Sequence, residues 1–144
     1  MIPAQRRKAR RFALQGLYEV YMSGNLPADA EKHLMTAVKE DKVDVPYLVD
    51  LLHGTTREAS ELDAVFTPYL KDVSFDDLTP IELCVLRMAT YELKHHHDVP
   101  YQVVINEALE LTKRYGAEEA HKFVNGVLDK LVPQLRPLAS QGKE

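Results

Sequence analysis

Apolar residues recur at three- and four-residue intervals along almost the whole chain, a spacing that only an α-helix turns into one buried face. Over residues 4–22, Ala9, Phe12, Ala13, Leu17, Val20 and Tyr21 share such a face, Gly24 offers a C-cap and Pro27 follows. A short second helix is expected over residues 28–39. Asp44 and Pro46 open a further stretch in which Leu48, Leu51, Leu52, Leu62, Val65 and Phe66 predict one long helix, weakened but not broken by Gly54. Thr79, Pro80 and Glu82 together spell a helix start, with Thr79 as cap and Glu82 at the capping-box position. Another helix is expected from near Pro100 to Gly116, and a last one carries Ala120, Phe123, Val124, Val127, Leu128 and Leu131 on one face. Pro133 and Pro137 predict an extended tail. Strand-type alternation is weak throughout.

The expected fold is therefore all-α: about six to seven helices in one domain, residues 1–144. Two packed helical subdomains are expected, roughly 1–75 and 76–137, meeting near 70–79, with a tail over 138–144. A chain of 144 residues, 45% hydrophobic and 28% charged, is long enough to bury a sizeable core. No apolar run reaches the ~20 residues that cross a bilayer, and no signal-peptide h-region follows the basic start. With a single cysteine, Cys84, no intramolecular disulfide can form. These features predict a cytoplasmic protein without a membrane role.

Catalytic chemistry is poorly represented, and no catalytic residue, metal site or cofactor is expected. Cys84 lies in helical register with Ile81, Val85 and Met88 and reads as a buried structural thiol. His95, His96 and His97 are adjacent, whereas a helical metal pair favours i,i+4 spacing; they read as a solvated helix end. Arg87, Glu92, Asn106 and Glu107 stand inside otherwise apolar helices and predict a buried polar network. Asn125-Gly126 reads as structural, with the small residue allowing close helix packing.

The concentrated feature is "QRRKARR" at residues 5–11. Arg6, Arg7, Lys8, Arg10 and Arg11 give five positive charges with no acid before Glu19; the whole chain is −4, so the remainder carries −9. On a helix, Arg6 and Arg10 share a stripe, as do Arg7 and Arg11, with Gln15 and Tyr18 further along. Cations at a helix N-terminus oppose the macrodipole, which an anionic ligand would explain. Guanidiniums for phosphates, an amide for base edges and an aromatic ring for an unpaired base suit RNA. The acidic remainder disfavours a long duplex.

Several blocks resemble the NusB family of bacterial transcription antitermination factors: "RRKARRFALQGLY", "VDLLHGTTREASELD", "VLRMATYEL", "DVPYQVVINEALELTKRYG" and "HKFVNGVLDKL". The resemblance covers nearly the whole chain. It implies an all-α fold of two helical subdomains. It also implies a non-catalytic adaptor that, with NusE, a ribosomal small-subunit protein, binds single-stranded boxA RNA. That assembly would join a transcribing RNA polymerase complex, notably on ribosomal RNA operons. By motif, Arg6, Arg7, Lys8, Arg10 and Arg11 match the family's arginine-rich RNA-binding segment, and Gln15 and Tyr18 match positions just after it. Glu119 and Phe123 match RNA-proximal positions, although Phe123 also lies on the expected core face. Glu82 matches the NusE-facing surface while also completing the capping box. Two alternatives stay open: an RNA-targeting partner of an rRNA-modifying enzyme, since NusB-like domains also occur fused to methyltransferases, and a helical protein-interaction module.

Overall fold

The computed structural model describes residues 2–39 and 41–140, so residues 141–144 of the expected tail lie outside the described residues. The elements are helices α1 (Pro3–Ser23), α2 (Pro27–Val38), α3 (Val45–Arg57), α4 (Ala59–Phe66), α5 (Pro80–His95), α6 (Tyr101–Tyr115) and α7 (Ala120–Leu135), then a single turn, α8 (Pro137–Ser140). Short 3₁₀ turns lie at Thr67–Tyr69 and Phe75–Asp77, and no strand occurs among the described residues. The all-α expectation holds. The chain divides into two compact units between Glu58 and Ala59, where the sequence reading put the junction near 70–79.

The first unit is α1 packed on α2 and α3. Pro3 opens α1 without a side-chain cap, and Gly24 ends it in the left-handed region (φ 75°), donating its N–H to Val20 O at 3.0 Å. Ala9, Phe12, Ala13, Leu14 and Leu17 are buried along it. Gly16 sets how closely the helices approach: a Cβ there would lie 2.9 Å from both Leu34 Cδ1 of α2 and Leu52 Cδ1 of α3. Asp44 caps α3, its carboxylate accepting from the Tyr47 N–H at 3.2 Å. At the rim of α2, His33 meets Glu19 at 2.9 Å and His53 meets Glu31 at 2.6 Å.

The single long helix expected across 45–66 is two helices. Gly54 is not the break; it is buried and helical. The helix is interrupted at Glu58 (φ −97°, ψ 11°), and the two pieces bury their apolar faces in different units.

In the second unit, α5 packs against α4, α6 and α7 and is buried almost all round, from Leu83 to Leu93. Its start is as read from the sequence: Glu82 N–H donates to Thr79 Oγ1 at 3.2 Å, and Thr79 N–H to Glu82 Oε1 at 2.9 Å. The expected polar network is different in detail. Arg87 makes a two-pronged pair with Asp63 of α4, at 2.8 and 2.7 Å. Glu92 is buried and Glu107 half-buried, but Asn106 is exposed and belongs to no buried network.

Two expectations fail at α7. The helix runs through Pro133, whose side is exposed, to Leu135, so no extended tail begins there. The next residue, Arg136, is 2% exposed. Its guanidinium donates to Leu93 O (2.7 Å), Val99 O (2.9 Å) and His96 O (2.9 Å). A cation thereby satisfies carbonyls at and just beyond the C-terminus of α5, where the helix dipole is negative. Gly126 is the other failure. It is exposed, and a Cβ there would meet no described atom of a neighbouring element within 4 Å, so it mediates no close helix packing. A glycine in an exposed helix interior costs about 1 kcal/mol relative to alanine.

The carbonyl clamp predicts that Arg136→Met destabilises the protein by about 3 kcal/mol or more, because three acceptors lose a charged donor. Urea unfolding followed by circular dichroism measures this, and a loss under about 1 kcal/mol would mean the carbonyls find other donors.

Candidate nucleic-acid interface

The basic block sits on the first turns of α1, and the structure sorts its members by helix face. Arg6 and Arg10, one turn apart, point to α3. The Arg6 guanidinium stands 4.1 Å from the Tyr47 ring centroid, with Nε 3.5 Å from Asp44 Oδ2. The Arg10 guanidinium stands 5.6 Å from the same ring, and the residue is only 4% exposed. These two arginines therefore bind α1 to α3, so the five basic residues do not form one open surface. Their burden on the helix dipole is offset by Asp44 and the ring.

The other stripe faces solvent. Arg7, Arg11, Gln15 and Tyr18 follow one another at four, four and three residues, hence along one line of the helix. Arg7 and Gln15 are exposed, Arg11 is half-exposed with its guanidinium 5.1 Å from the Phe12 ring, and Tyr18 is 38% exposed. Lys8 flanks the line and reaches Asp41 at 3.4 Å. From Arg7 to Tyr18 the line spans about 16 Å at ~1.5 Å per residue. It carries cations at one end, an amide in the middle and a phenol ring at the other. Below Tyr18, Glu19 accepts from Asn25 and meets His33, and those hydrogen bonds hold its carboxyl below the usual range.

The remaining sequence candidates lie in the second unit. Glu119 starts α7 in the left-handed region (φ 75°), unusual for a residue with a Cβ, and its carboxylate lies 2.6 Å from Lys122 Nζ. Phe123 is half-buried. The core of α7 is carried by Ala120, Val124, Val127, Leu128 and Leu131, so Phe123 sits at the border of that face rather than within it. Glu82 is half-buried and uses Oε1 in the capping box.

Groups that could have supported catalysis are placed otherwise. Cys84 is 2% exposed, and burial pushes its thiol up to about 11 despite the nearby Arg87. His95 packs on Tyr91 at 4.6 Å, and a ring nitrogen of His97 lies 3.0 Å from Lys94 O. Sequence reasoning missed Tyr47, which decides which arginines remain outside. Only the helical register of Arg6 and Arg10 hinted at a common partner.

A model of the NusB family matches residues 7–133. A transcription antitermination protein NusB from Shewanella loihica is 54% identical over 132 residues, covering 92% of this chain and 98% of its own length. Its counterpart from Teredinibacter turnerae is 49% identical over 135 residues, covering 94% and 92%. Among solved structures, T. maritima NusB superposes with a TM-score of 0.80 at 28% identity, covering 94% of this chain and 96% of that one. A crystal structure of antitermination factors NusB and NusE in complex with double-stranded RNA superposes at 0.78 and 28%, covering 89% and 96%.

The two stripes predict opposite behaviour on substitution. Arg10→Ala should cost about 1–3 kcal/mol of unfolding free energy, through a lost guanidinium–ring contact and a cavity beside Tyr47. Arg7→Ala should stay within about 0.5 kcal/mol of the parent. Urea titrations of both variants check the pair, and equal losses would contradict the assignment of faces.

Proposed function

The chain belongs to the NusB family, and from that premise we propose that it is a non-catalytic RNA-binding adaptor in transcription antitermination. It acts in the cytoplasm with NusE, on boxA-type single-stranded RNA, within a transcribing RNA polymerase complex. Among the described residues no helix is long and apolar enough to cross a membrane. The observation that carries the RNA reading is the solvent-facing line Arg7, Arg11, Gln15 and Tyr18 on α1.

The chemistry follows from the order of those side chains. Arg7 and Arg11, with Lys8 beside them, contact phosphates; planar guanidiniums suit phosphate oxygens better than a point charge does. Gln15 offers both a donor and an acceptor to a base edge. The exposed part of the Tyr18 ring stacks on an unpaired base. A line one helix wide on an otherwise acidic protein suits a single strand; a long duplex would bring its phosphates against net negative charge. Arg6 and Arg10 act behind this surface by fixing the rotation of α1. In the second unit, the half-buried Phe123 and the exposed Glu119 are proposed as RNA-proximal by family motif. No nucleophile is invoked: the single thiol, Cys84, is buried and held protonated at neutral pH.

Glu82 is proposed to meet NusE. One of its oxygens is committed to the Thr79 N–H, so the carboxylate is held in a fixed orientation at the start of α5. Thr79→Ala and Glu82→Lys separate the two roles, because both break the capping box but only the second reverses the charge. Glu82→Lys should weaken NusE binding severalfold, measured by isothermal titration, while Thr79→Ala leaves it unchanged. Equal effects would reduce Glu82 to a cap. Where NusE tightens RNA binding, RNA must tighten NusE binding by the same factor.

Salt dependence tests the number of phosphate contacts. With Arg6 and Arg10 turned toward Tyr47, two to three cations remain, so log affinity against log salt should fall with a slope of about −1.4 to −2.1 at roughly −0.7 per single-strand contact. Fluorescence anisotropy with a boxA-like single strand, at several salt concentrations, gives the slope. A value near zero, or equal affinity for a scrambled strand and a duplex, would contradict the proposed function.

A further inference from the structure

Gly126 stands seventh in a sixteen-residue helix, exposed, and beyond its chain neighbours and the local helix backbone no described atom lies within 4 Å of where a Cβ would be. The usual reasons for a helical glycine do not apply. Its φ is not positive, since Gly24 is the one positive-φ glycine among the described residues. It caps nothing, because α7 continues to Leu135. It admits no neighbouring helix, as Gly16 does in the first unit. A residue that weakens its own helix and relieves no internal crowding points to something outside the chain that needs the space.

Its neighbours on the helix surface define the chemistry of that visitor. Residues three and four apart on a helix are adjacent, which places Phe123, Lys122 and Lys130 around Gly126. Phe123 and Lys130 fall on one side of it. Lys122, paired with Glu119, and the exposed Asp129 fall on the other. The Phe123 side therefore combines a half-exposed aromatic ring with an exposed ammonium about 10 Å further along, at ~1.5 Å rise per residue. The gap between them is bare helix backbone. An aromatic ring, a bare step and then a cation match a stacked base, its ribose and a following phosphate.

We infer that Gly126 is a close-approach point for single-stranded RNA, with a base on Phe123, the sugar-phosphate chain passing over the bare Gly126 backbone, and a phosphate at Lys130. This rests on the RNA-binding reading above and adds Gly126 and Lys130 to it. It has an unusual signature, because the substitution that harms binding should help folding.

Gly126→Ala restores helix propensity without steric conflict inside the chain, so the melting temperature should rise by about 3–5 °C. The affinity for a boxA-like single strand should fall about fivefold, the lower end of the loss of one stacked base. Gly126→Leu should weaken RNA binding further, and NusE affinity should stay unchanged in both variants. A higher melting temperature with unaltered RNA affinity would overturn the inference. So would a lower melting temperature, which would show that the chain itself needs the glycine, or a loss of NusE affinity with RNA binding intact, which would assign the step to a protein. Arg7→Ala/Arg11→Ala serves as the control arm. If it weakens RNA binding and the Gly126 variants do not, only this inference fails; if it too has no effect, the RNA-binding reading fails with it.

Discussion

Two guanidiniums over one tyrosine ring decide how α1 is presented. A helix turns by about 100° per residue, so fixing Arg6 and Arg10 on Tyr47 fixes every other side chain on α1. Ala9, Ala13 and Leu17 then fall toward α2 and α3, and Arg7, Arg11, Gln15 and Tyr18 fall toward water. Gly16 sets how closely the helices approach: its missing side chain lets Leu34 and Leu52 come to the backbone, which holds α1 in register along its axis. Arg10 and the half-buried Arg6 are thus part of the fold, and the side chains of the other stripe face solvent. Removing the ring or either guanidinium would let α1 roll, and the outward line of side chains would lose its aim.

In the second unit too, two cations in or near the interior are held by defined acceptors. Arg87 is matched to Asp63, and Arg136 to three carbonyls around the end of α5. With the capping box at its start, α5 has both of its ends satisfied by side chains. A helix so fully buried cannot leave terminal N–H and C=O groups unpaired, since each would cost about 1–3 kcal/mol. Stability and a rigid surface for Glu82 come from the same bonds.

Much of this was legible in the sequence, and the misses share a cause. Periodicity with glycine and proline punctuation located the helices, and the Thr79–Glu82 box was readable because a cap is a local pattern with its own spacing. Gly24 and Gly116 were readable as stops for the same reason. What was not readable depends on residues far apart in sequence. Nothing near Arg136 announces that it will reach carbonyls some forty residues earlier; the prolines around it suggest a tail. The interruption at Glu58 carries no breaker residue and reflects which unit each half packs into. In the site, the arginine block was visible as charge, but the division into inward and outward stripes required knowing where Tyr47 sits. Gly126 was taken for a packing residue because a helical glycine usually is one, and only its empty surroundings say otherwise.

The central claim is that RNA lies along the outward stripe of α1 while the inward arginines stay under Tyr47. Hydroxyl-radical footprinting with residue-level mass spectrometry tests it on the intact protein, because Tyr18 is exposed and Tyr47 is buried. Saturating boxA-like RNA should strongly reduce oxidation of Tyr18 and leave the low oxidation of Tyr47 unchanged. An unchanged Tyr18 in the RNA-bound protein, or a rise at Tyr47 on binding, would contradict it.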